Sequence, residues 1–221
     1  MLRRYYFLRP FLLILFFLLR ISPLITSSAV FADPSAPVVM VFGDSLVAGH
    51  GLAQGAAFPE ILEQKLVASG VKVRVINAGV SGDTTAGGLA RLDWSLSENP
   101  DAAIVVLGGN DILRGFAPET TFTNLDKIIS RLREQNVQVM LAGMKAPRNF
   151  GKLYVEEFDE IYLELSKKHD LVFYPFFLEG VALRPKMNLS DGLHPNDSGI
   201  DLIASNILPY AKLLLSRLEQ K

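Results

Sequence analysis

The chain has 221 residues, of which 49% are hydrophobic, so it can bury one substantial core and needs no second domain. Its net charge is -1 and its isoelectric point is near 6.3, so the chain lacks the excess of basic residues that is typical of nucleic-acid-binding proteins. It contains no cysteine, which excludes disulfides, a thiolate nucleophile and a lipidated cysteine anchor.

The N-terminus has the composition of a secretory signal peptide. Three arginines precede the apolar run 11–19, and small residues follow as far as Ala32. The run is nine residues long, whereas a membrane-spanning helix needs about twenty apolar residues. We therefore expect a signal peptide over residues 1–32, a linker over 33–36, a domain over 37–221 and a periplasmic or secreted protein. An uncleaved anchor is the alternative.

Beyond the linker, compact apolar runs alternate with longer segments of helical spacing, which is the pattern of repeated βα units. Strands are predicted at 38–42, 71–77, 103–107, 137–142 and 171–174. Helices are predicted at about 57–68, 84–98, 119–135, 152–168 and 197–219. Asp83 is expected to cap the second helix, Asn196 or Asp197 the last, and Pro209 to kink or split that last helix. The pattern predicts an α/β fold on five parallel strands.

Four short motifs carry the residue types of a serine hydrolase. In chain order they are Gly43-Asp44-Ser45-Leu46, Asn77-Ala78-Gly79, Gly108-Gly109-Asn110-Asp111 and Asp191-Gly192-Leu193-His194. The first three follow predicted strands, where a parallel sheet presents its ligand-facing loops. Ser45 lies on the first of these turns and is the candidate nucleophile. Because a serine hydroxyl is a weak nucleophile, it needs a neighbouring base.

The strongest candidate for that base is His194. Asp191 precedes it by three residues, a spacing that lets the carboxylate bind one ring nitrogen while the other faces the serine. The plainer interpretation is that Asp191 shapes a turn and His194 is a surface residue. His50 lies five residues after Ser45 and is a weaker candidate. His169 ends a predicted helix, where a cation near the dipole is an ordinary stabilising feature.

Oxyanion donors are expected if the strand order is 2-1-3-4-5, because strands 2 and 3 then flank strand 1. The backbone N–H groups of Ser45 and Gly79 and the side-chain amide of Asn110 would then converge. The alternative is that this glycine and asparagine only shape their loops.

At these motifs the sequence resembles the GDSL or SGNH hydrolases, and more closely their branch of exported bacterial thioesterases, lysophospholipases and arylesterases. The resemblance covers nearly all of residues 37–218. Further segments that resemble the branch are 80–85, 88–92, 113–115 and 191–196.

The resemblance implies a three-layer α/β/α, flavodoxin-like domain that forms an acyl-enzyme on Ser45. It assigns His194 as the base, Asp191 as the carboxylate that orients it, and Gly79 and Asn110 as oxyanion donors. It implies no metal and no organic cofactor. The expected substrates are small esters, thioesters or lysophospholipids. We expect a monomer with transient membrane-surface contact and no nucleic-acid partner.

Apolar residues beside the motifs suggest an acyl groove. They are Leu46, Leu113, Phe116, Met144 and Leu193. Ordinary core packing is the alternative for each of them. The segment 143–151 lies where the branch has a loop that borders the acyl site, but it departs from that loop in detail.

Three other functions compete with this hypothesis. A carbohydrate O-acetylesterase of the same superfamily would need an aromatic-rimmed cleft, and the single tryptophan, Trp94, lies on a predicted helix. A non-catalytic envelope binding module would keep the fold alone. A metal phosphoesterase would use Asp44, Asp111, Asp191 and His194 as ligands.

Overall fold

The computed structural model describes residues 36–219, together with Met1. Apart from Met1, the predicted signal peptide lies outside these residues, as does the predicted linker up to residue 35. Within the described part of the chain, no helix is both long enough and apolar enough to span a bilayer.

Five parallel strands form one sheet in the order β2-β1-β3-β4-β5. Their bounds are β1 Val38–Gly43, β2 Arg74–Gly79, β3 Ala102–Val106, β4 Gln138–Ala142 and β5 Val172–Tyr174. The central strand β3 is buried along its whole length, as expected of a parallel strand covered on both faces. The predicted α/β class with five parallel strands is confirmed, and the strand order is the one that the oxyanion hypothesis requires.

Seven α-helices flank and follow these strands in the described residues. They are α1 Ser45–Ala48, α2 Phe58–Ala68, α3 Thr85–Leu96, α4 Gly109–Leu113, α5 Pro118–Glu134, α6 Lys152–Lys168 and α7 Asp197–Ser216. Short 3₁₀ turns lie at Arg148–Phe150 and Pro185–Met187. Helices α2 and α7 pack on each other, and α5 packs on both α3 and α6. The sheet lies between these two groups of helices, which makes a three-layer sandwich. Of the seven α-helices, only α1 and α4 were not predicted.

One helix cap differs from the prediction, and one of the two predicted effects of Pro209 is absent. Thr84, not Asp83, caps α3, because its side-chain oxygen accepts the Gly87 N–H at 3.2 Å. Helix α7 is not split, since it runs unbroken through Pro209. The predicted cap at Asn196 is confirmed by a 3.1 Å bond from the Gly199 N–H to its side chain.

The register of the strand pairs places the carboxyl ends of β1, β2 and β3 beside one another. Gly43 pairs with Gly79 on β2 and with Val106 on β3. The loops that follow β1, β2 and β3 therefore begin side by side, at the edge where parallel α/β sheets hold their ligands.

Candidate active site

Ser45 is the first residue of α1, directly after strand β1 and the turn residue Asp44. The Asp44 carboxylate accepts the Leu46 N–H at 3.0 Å and so caps this short helix. A Cβ atom on Gly43 would lie 2.6 Å from the Val106 carbonyl oxygen, so only glycine fits there. The turn holds Ser45, which is half-buried, at the carboxyl edge of the sheet.

The loop before α7 carries His194 and is closed by its own hydrogen bonds. The Leu189 N–H donates to the His194 carbonyl oxygen at 2.7 Å. One carboxylate oxygen of Asp191 accepts the N–H groups of Leu193 at 2.8 Å and His194 at 3.0 Å. Gly192 has a φ of 70°, which glycine adopts without strain. This local network fixes the histidine relative to the aspartate.

The structure brings Ser45, His194 and Asp191 together. His194 Nε2 lies 2.9 Å from Ser45 Oγ, and His194 Nδ1 lies 2.7 Å from Asp191 Oδ2. The two backbone N–H bonds, followed by the bond to the imidazole, hold the pKa of Asp191 well below its usual range. An ionised carboxylate can only accept, so Nδ1 carries the proton and Nε2 offers its lone pair to the hydroxyl.

Gly79 ends β2 and Asn110 lies in the first turn of α4, and the donors of both are bonded to the protein. A Cβ atom on Gly79 would lie 2.8 Å from the Cα of Ala48, so α1 packs directly on this strand end. The Gly79 N–H donates to Asn77 Oδ1 at 3.1 Å. Asn110 Nδ2 donates to Asp44 Oδ2 at 3.1 Å and to the Asp83 carbonyl oxygen at 2.9 Å.

Asp44 links the nucleophile turn to Asn110, a role that the sequence analysis missed. Its side chain is 2% exposed, and this burial raises its pKa to about 6. Bonds from the Leu46 N–H and the Asn110 amide oppose the rise. The available signal was its position in the first motif, directly after a buried strand.

Arg91 was also missed as a contributor to the site. Its guanidinium donates to the Gly43 carbonyl oxygen at 2.9 Å and to the Asp83 carboxylate at 2.5 Å. It therefore ties α3 to the end of β1 and to the residue whose carbonyl orients Asn110. The available signal was its position in the segment 88–92, which resembles the branch.

The metal-ligand set considered from the sequence is not assembled. Asp111 is fully buried and accepts the Thr85 N–H at 2.9 Å, which ties α4 to α3. Asp44 serves the nucleophile turn. Among residues 36–219, a group of three or more potential ligands occurs only at His50, Asp191 and His194.

The other two histidines differ in their relation to the site. His169 ends α6 and lies 2.6 Å from Asp126 on α5, so its predicted structural role agrees with the fold. The His50 ring lies beside the His194 ring, with centroids 4.5 Å apart. Within the described residues, the His50 ring has no hydrogen-bond partner, and Ser45 Oγ bonds to His194.

The suggested groove residues separate into two groups. Leu113, Phe116 and Leu193 are exposed apolar side chains, with exposed fractions of 59%, 37% and 55%. Leu46 is half-buried against the core. Met144 is 3% exposed and packs within the core, which favours the alternative of ordinary core packing for this residue.

Trp94 lies near the end of α3 and is 76% exposed. Because α3 starts at the carboxyl edge of the sheet and runs back toward the other edge, its end points away from Ser45. Trp94 therefore offers no aromatic rim to the candidate site.

The chain matches the model of the GDSL-like lipase/acylhydrolase family over residues 41–202. This match covers the first three motifs and the histidine loop.

The similarity to known relatives and solved structures covers most of the chain. The arylesterase of Vibrio mimicus is 38% identical over 174 residues, which are 78% of this chain and 87% of that protein. Thioesterase 1/protease 1/lysophospholipase L1 of Escherichia coli K12 is 39% identical over 175 residues, 79% of this chain and 83% of that protein. The crystal structure of TesA is 38% identical with a TM-score of 0.76, covering 80% of this chain and 99% of that one.

Proposed function

The chain belongs to the GDSL-like lipase/acylhydrolase family, and we propose that it is a serine esterase that hydrolyses carboxylic esters and thioesters. The observation that carries the proposal is the hydrogen-bonded series Ser45 Oγ, His194 and Asp191, with distances of 2.9 and 2.7 Å. Nucleophile, base and orienting carboxylate in this geometry are the parts that acyl transfer needs.

The proposed first step is acylation of Ser45. His194 Nε2 takes the hydroxyl proton as Oγ attacks the ester or thioester carbonyl carbon, and the carbonyl oxygen becomes an oxyanion. When the tetrahedral intermediate collapses, the bond to the alcohol or thiol breaks, and His194 returns the proton to that leaving group. Water then attacks the acyl-enzyme with the same help, which releases the carboxylic acid and restores the serine.

Asp191 would support both steps without itself taking up a proton. Its bond to Nδ1 fixes the imidazole tautomer, and its negative charge stabilises the imidazolium. The low pKa of Asp191 supports this role, because the carboxylate stays ionised while the histidine is charged.

We propose the Ser45 and Gly79 N–H groups and the Asn110 amide as oxyanion donors. Their support is the register that sets Gly79 beside Gly43, and the contact of Asn110 with the neighbouring Asp44. Because the Gly79 and Asn110 donors already have protein acceptors, an oxyanion would share or replace those bonds. Losing one oxyanion donor typically costs about 2.7 to 4 kcal/mol of transition-state stabilisation.

The substrate class that we propose has an apolar acyl group. Leu113, Phe116 and Leu193 expose apolar surface on the segments that also carry Asn110 and His194. The relatives named arylesterase and thioesterase 1/protease 1/lysophospholipase L1 support aryl esters, thioesters and lysophospholipids as the first compounds to assay.

We also propose that the protein acts in the periplasm or outside the cell. The support is the sequence of residues 1–32, in which arginines precede a short apolar run and small residues follow.

The decisive test is the Ser45→Ala variant, assayed with p-nitrophenyl esters in the presence of EDTA. We expect the wild-type chain to stay active in EDTA and the variant to lose about 10⁴-fold or more of kcat/KM. Circular dichroism serves as the folding control. A correctly folded variant that keeps wild-type hydrolysis would refute the proposed nucleophile.

A further inference from the structure

We propose that His50, Asp191 and His194 form a binding site for a divalent transition-metal ion of the zinc type, and that the bound ion blocks hydrolysis. The blocking effect rests on the function proposed above, whereas the binding site rests on geometry alone.

The three side chains approach one another closely. One ligand atom from each lies within 4.8 Å of the other two, and the rings of His50 and His194 have centroids 4.5 Å apart. Zinc binds histidine nitrogen at about 2.0 to 2.1 Å and carboxylate oxygen at about 2.0 to 2.2 Å. Two ligand atoms on one tetrahedral zinc ion lie about 3.4 Å apart, so atoms as much as 4.8 Å apart would have to approach by about 1 Å through side-chain rotation. The exposed His50 ring has room for this rotation.

His50 is held next to the nucleophile by its backbone. Its N–H donates to the Ser45 carbonyl oxygen at 3.2 Å, just after the end of α1. Its ring faces His194 and makes no hydrogen bond within residues 36–219, so its nitrogen lone pair is open to a ligand. Unlike Asp191 and His194, it has no part in the proposed acyl transfer.

The chemistry of the donor set selects the kind of ion. Two imidazoles and one carboxylate suit zinc, copper and nickel, whereas magnesium and calcium prefer sites built from oxygen. A fourth position would remain for water, as in zinc sites with three protein ligands.

Metal binding and base catalysis compete for the same lone pair. A neutral imidazole carries one proton and one nitrogen lone pair. If the ion binds Nε2, that lone pair no longer faces Ser45. If the ion binds Nδ1, it replaces the hydrogen bond between Nδ1 and Asp191. The ring proton then moves to Nε2, which donates to the serine. Either way His194 cannot accept the hydroxyl proton.

Isothermal titration of the tag-free full-length chain with ZnCl₂ tests the binding, and ester hydrolysis tests the blocking. We expect one zinc ion per chain, bound equally by the wild type and by Ser45→Ala, which keeps all three ligands. We expect His50→Gln to bind zinc at least about tenfold more weakly and to keep basal hydrolysis. Zinc should inhibit the wild type, EDTA should reverse the inhibition, and His50→Gln should need at least about ten times more zinc.

His169→Gln is the matched control, because it removes a histidine outside the cluster. It should bind zinc and be inhibited like the wild type. Equal zinc affinity in His50→Gln and the wild type would overturn the site. An equal loss of zinc affinity in His50→Gln and His169→Gln would also overturn it. Zinc binding at His50 that leaves wild-type hydrolysis unchanged would overturn the role of His194 as a ligand. Loss of activity in Ser45→Ala bears only on the proposed function, since its zinc binding is measured separately.

Discussion

Asp191 performs two tasks with its two carboxylate oxygens. One oxygen accepts the backbone N–H groups of Leu193 and His194, which shapes the loop, and the other binds His194 Nδ1. The first task needs only an acceptor, whereas the second needs a negative charge. Changing the charge alone can separate them.

Asp191→Asn should therefore keep the loop and lose most of the activity. Its amide oxygen can accept the two backbone bonds, but its NH₂ group would face Nδ1 and favour the wrong tautomer of His194. We expect kcat to fall by about 10⁴-fold with KM nearly unchanged. Steady-state kinetics measure this, and thermal unfolding checks the loop. Asp191→Ala, which removes both tasks, should also lower the melting temperature, and equal melting temperatures would contradict the division.

Asp44 gives the protein a pH-dependent stability of unusual sign for a carboxyl group. Its pKa rises on folding from 3.8 to about 6 because the side chain is buried. Between these values the unfolded chain has lost the proton while the folded chain still holds it. The ionised form is therefore less favourable in the folded state, and stability falls as the pH rises through this window.

We expect the free energy of unfolding of the wild type, relative to Asp44→Asn, to fall between pH 4 and pH 6. The slope should approach about 1.4 kcal/mol per pH unit in the middle of the window. Urea denaturation at several pH values measures it. Taking the difference between the two chains removes the other titrating groups, and a difference that stays constant with pH would contradict the raised pKa.

At the scale of elements, helix α3 contacts the turns that carry the site residues. Its Arg91 reaches the Gly43 carbonyl oxygen and the Asp83 carboxylate, and it lies 4.2 Å from the Phe42 ring centroid. A planar guanidinium can make these contacts together, whereas a lysine ammonium is a single point charge.

Arg91→Lys should let the turns that hold Ser45 and Asn110 shift. We expect kcat to fall by about 10- to 100-fold with little change in KM, because reacting groups misplaced by about 1 Å react that much more slowly. Arg131→Lys is the matched control, since Arg131 also binds an aspartate on α3, at the exposed Asp93. A similar loss in both variants would point to α3 as a whole and against the specific role of Arg91.

The sequence predicted the elements that carry a recognisable pattern, because the five strands are compact apolar runs and the five long helices show helical spacing. Helices α1 and α4, with four and five residues, are too short for a helical stripe. Ser45, Asp191 and His194 could be proposed because each lies in a distinctive local motif. The link from Arg91 to Gly43 spans 48 residues and that from Asn110 to Asp44 spans 66, so no local pattern encodes them.

For the molecule as a whole, the exposed apolar side chains around the site should set substrate preference. Phe116 is 37% exposed, and its carbonyl oxygen accepts the Tyr154 hydroxyl at 2.9 Å, which fixes it to α6. A long acyl chain laid along this surface would bury methylene groups, each worth about 0.8 kcal/mol.

Phe116→Ala should therefore reduce kcat/KM for octanoyl esters by about tenfold and for acetyl esters by much less. A series of p-nitrophenyl esters from acetyl to palmitoyl, extended to acyl-CoA, lysophospholipid and acetylated xylan, measures the preference. Trp94→Ala is the control, because it removes an exposed aromatic side chain at the end of α3 that points away from Ser45. Equal losses on short and long esters would argue against an acyl groove at Phe116.

The hydrogen bond between Ser45 and His194 joins positions 149 residues apart, one near the start of the domain and one near its end. A polypeptide still emerging from the ribosome has its hydroxyl long before its imidazole is synthesised. If His194 is the base, as proposed, we expect nascent chains to be inactive toward esters until the last loop docks on the finished sheet. Recovery of turnover during refolding accordingly reports the completion of the tertiary structure.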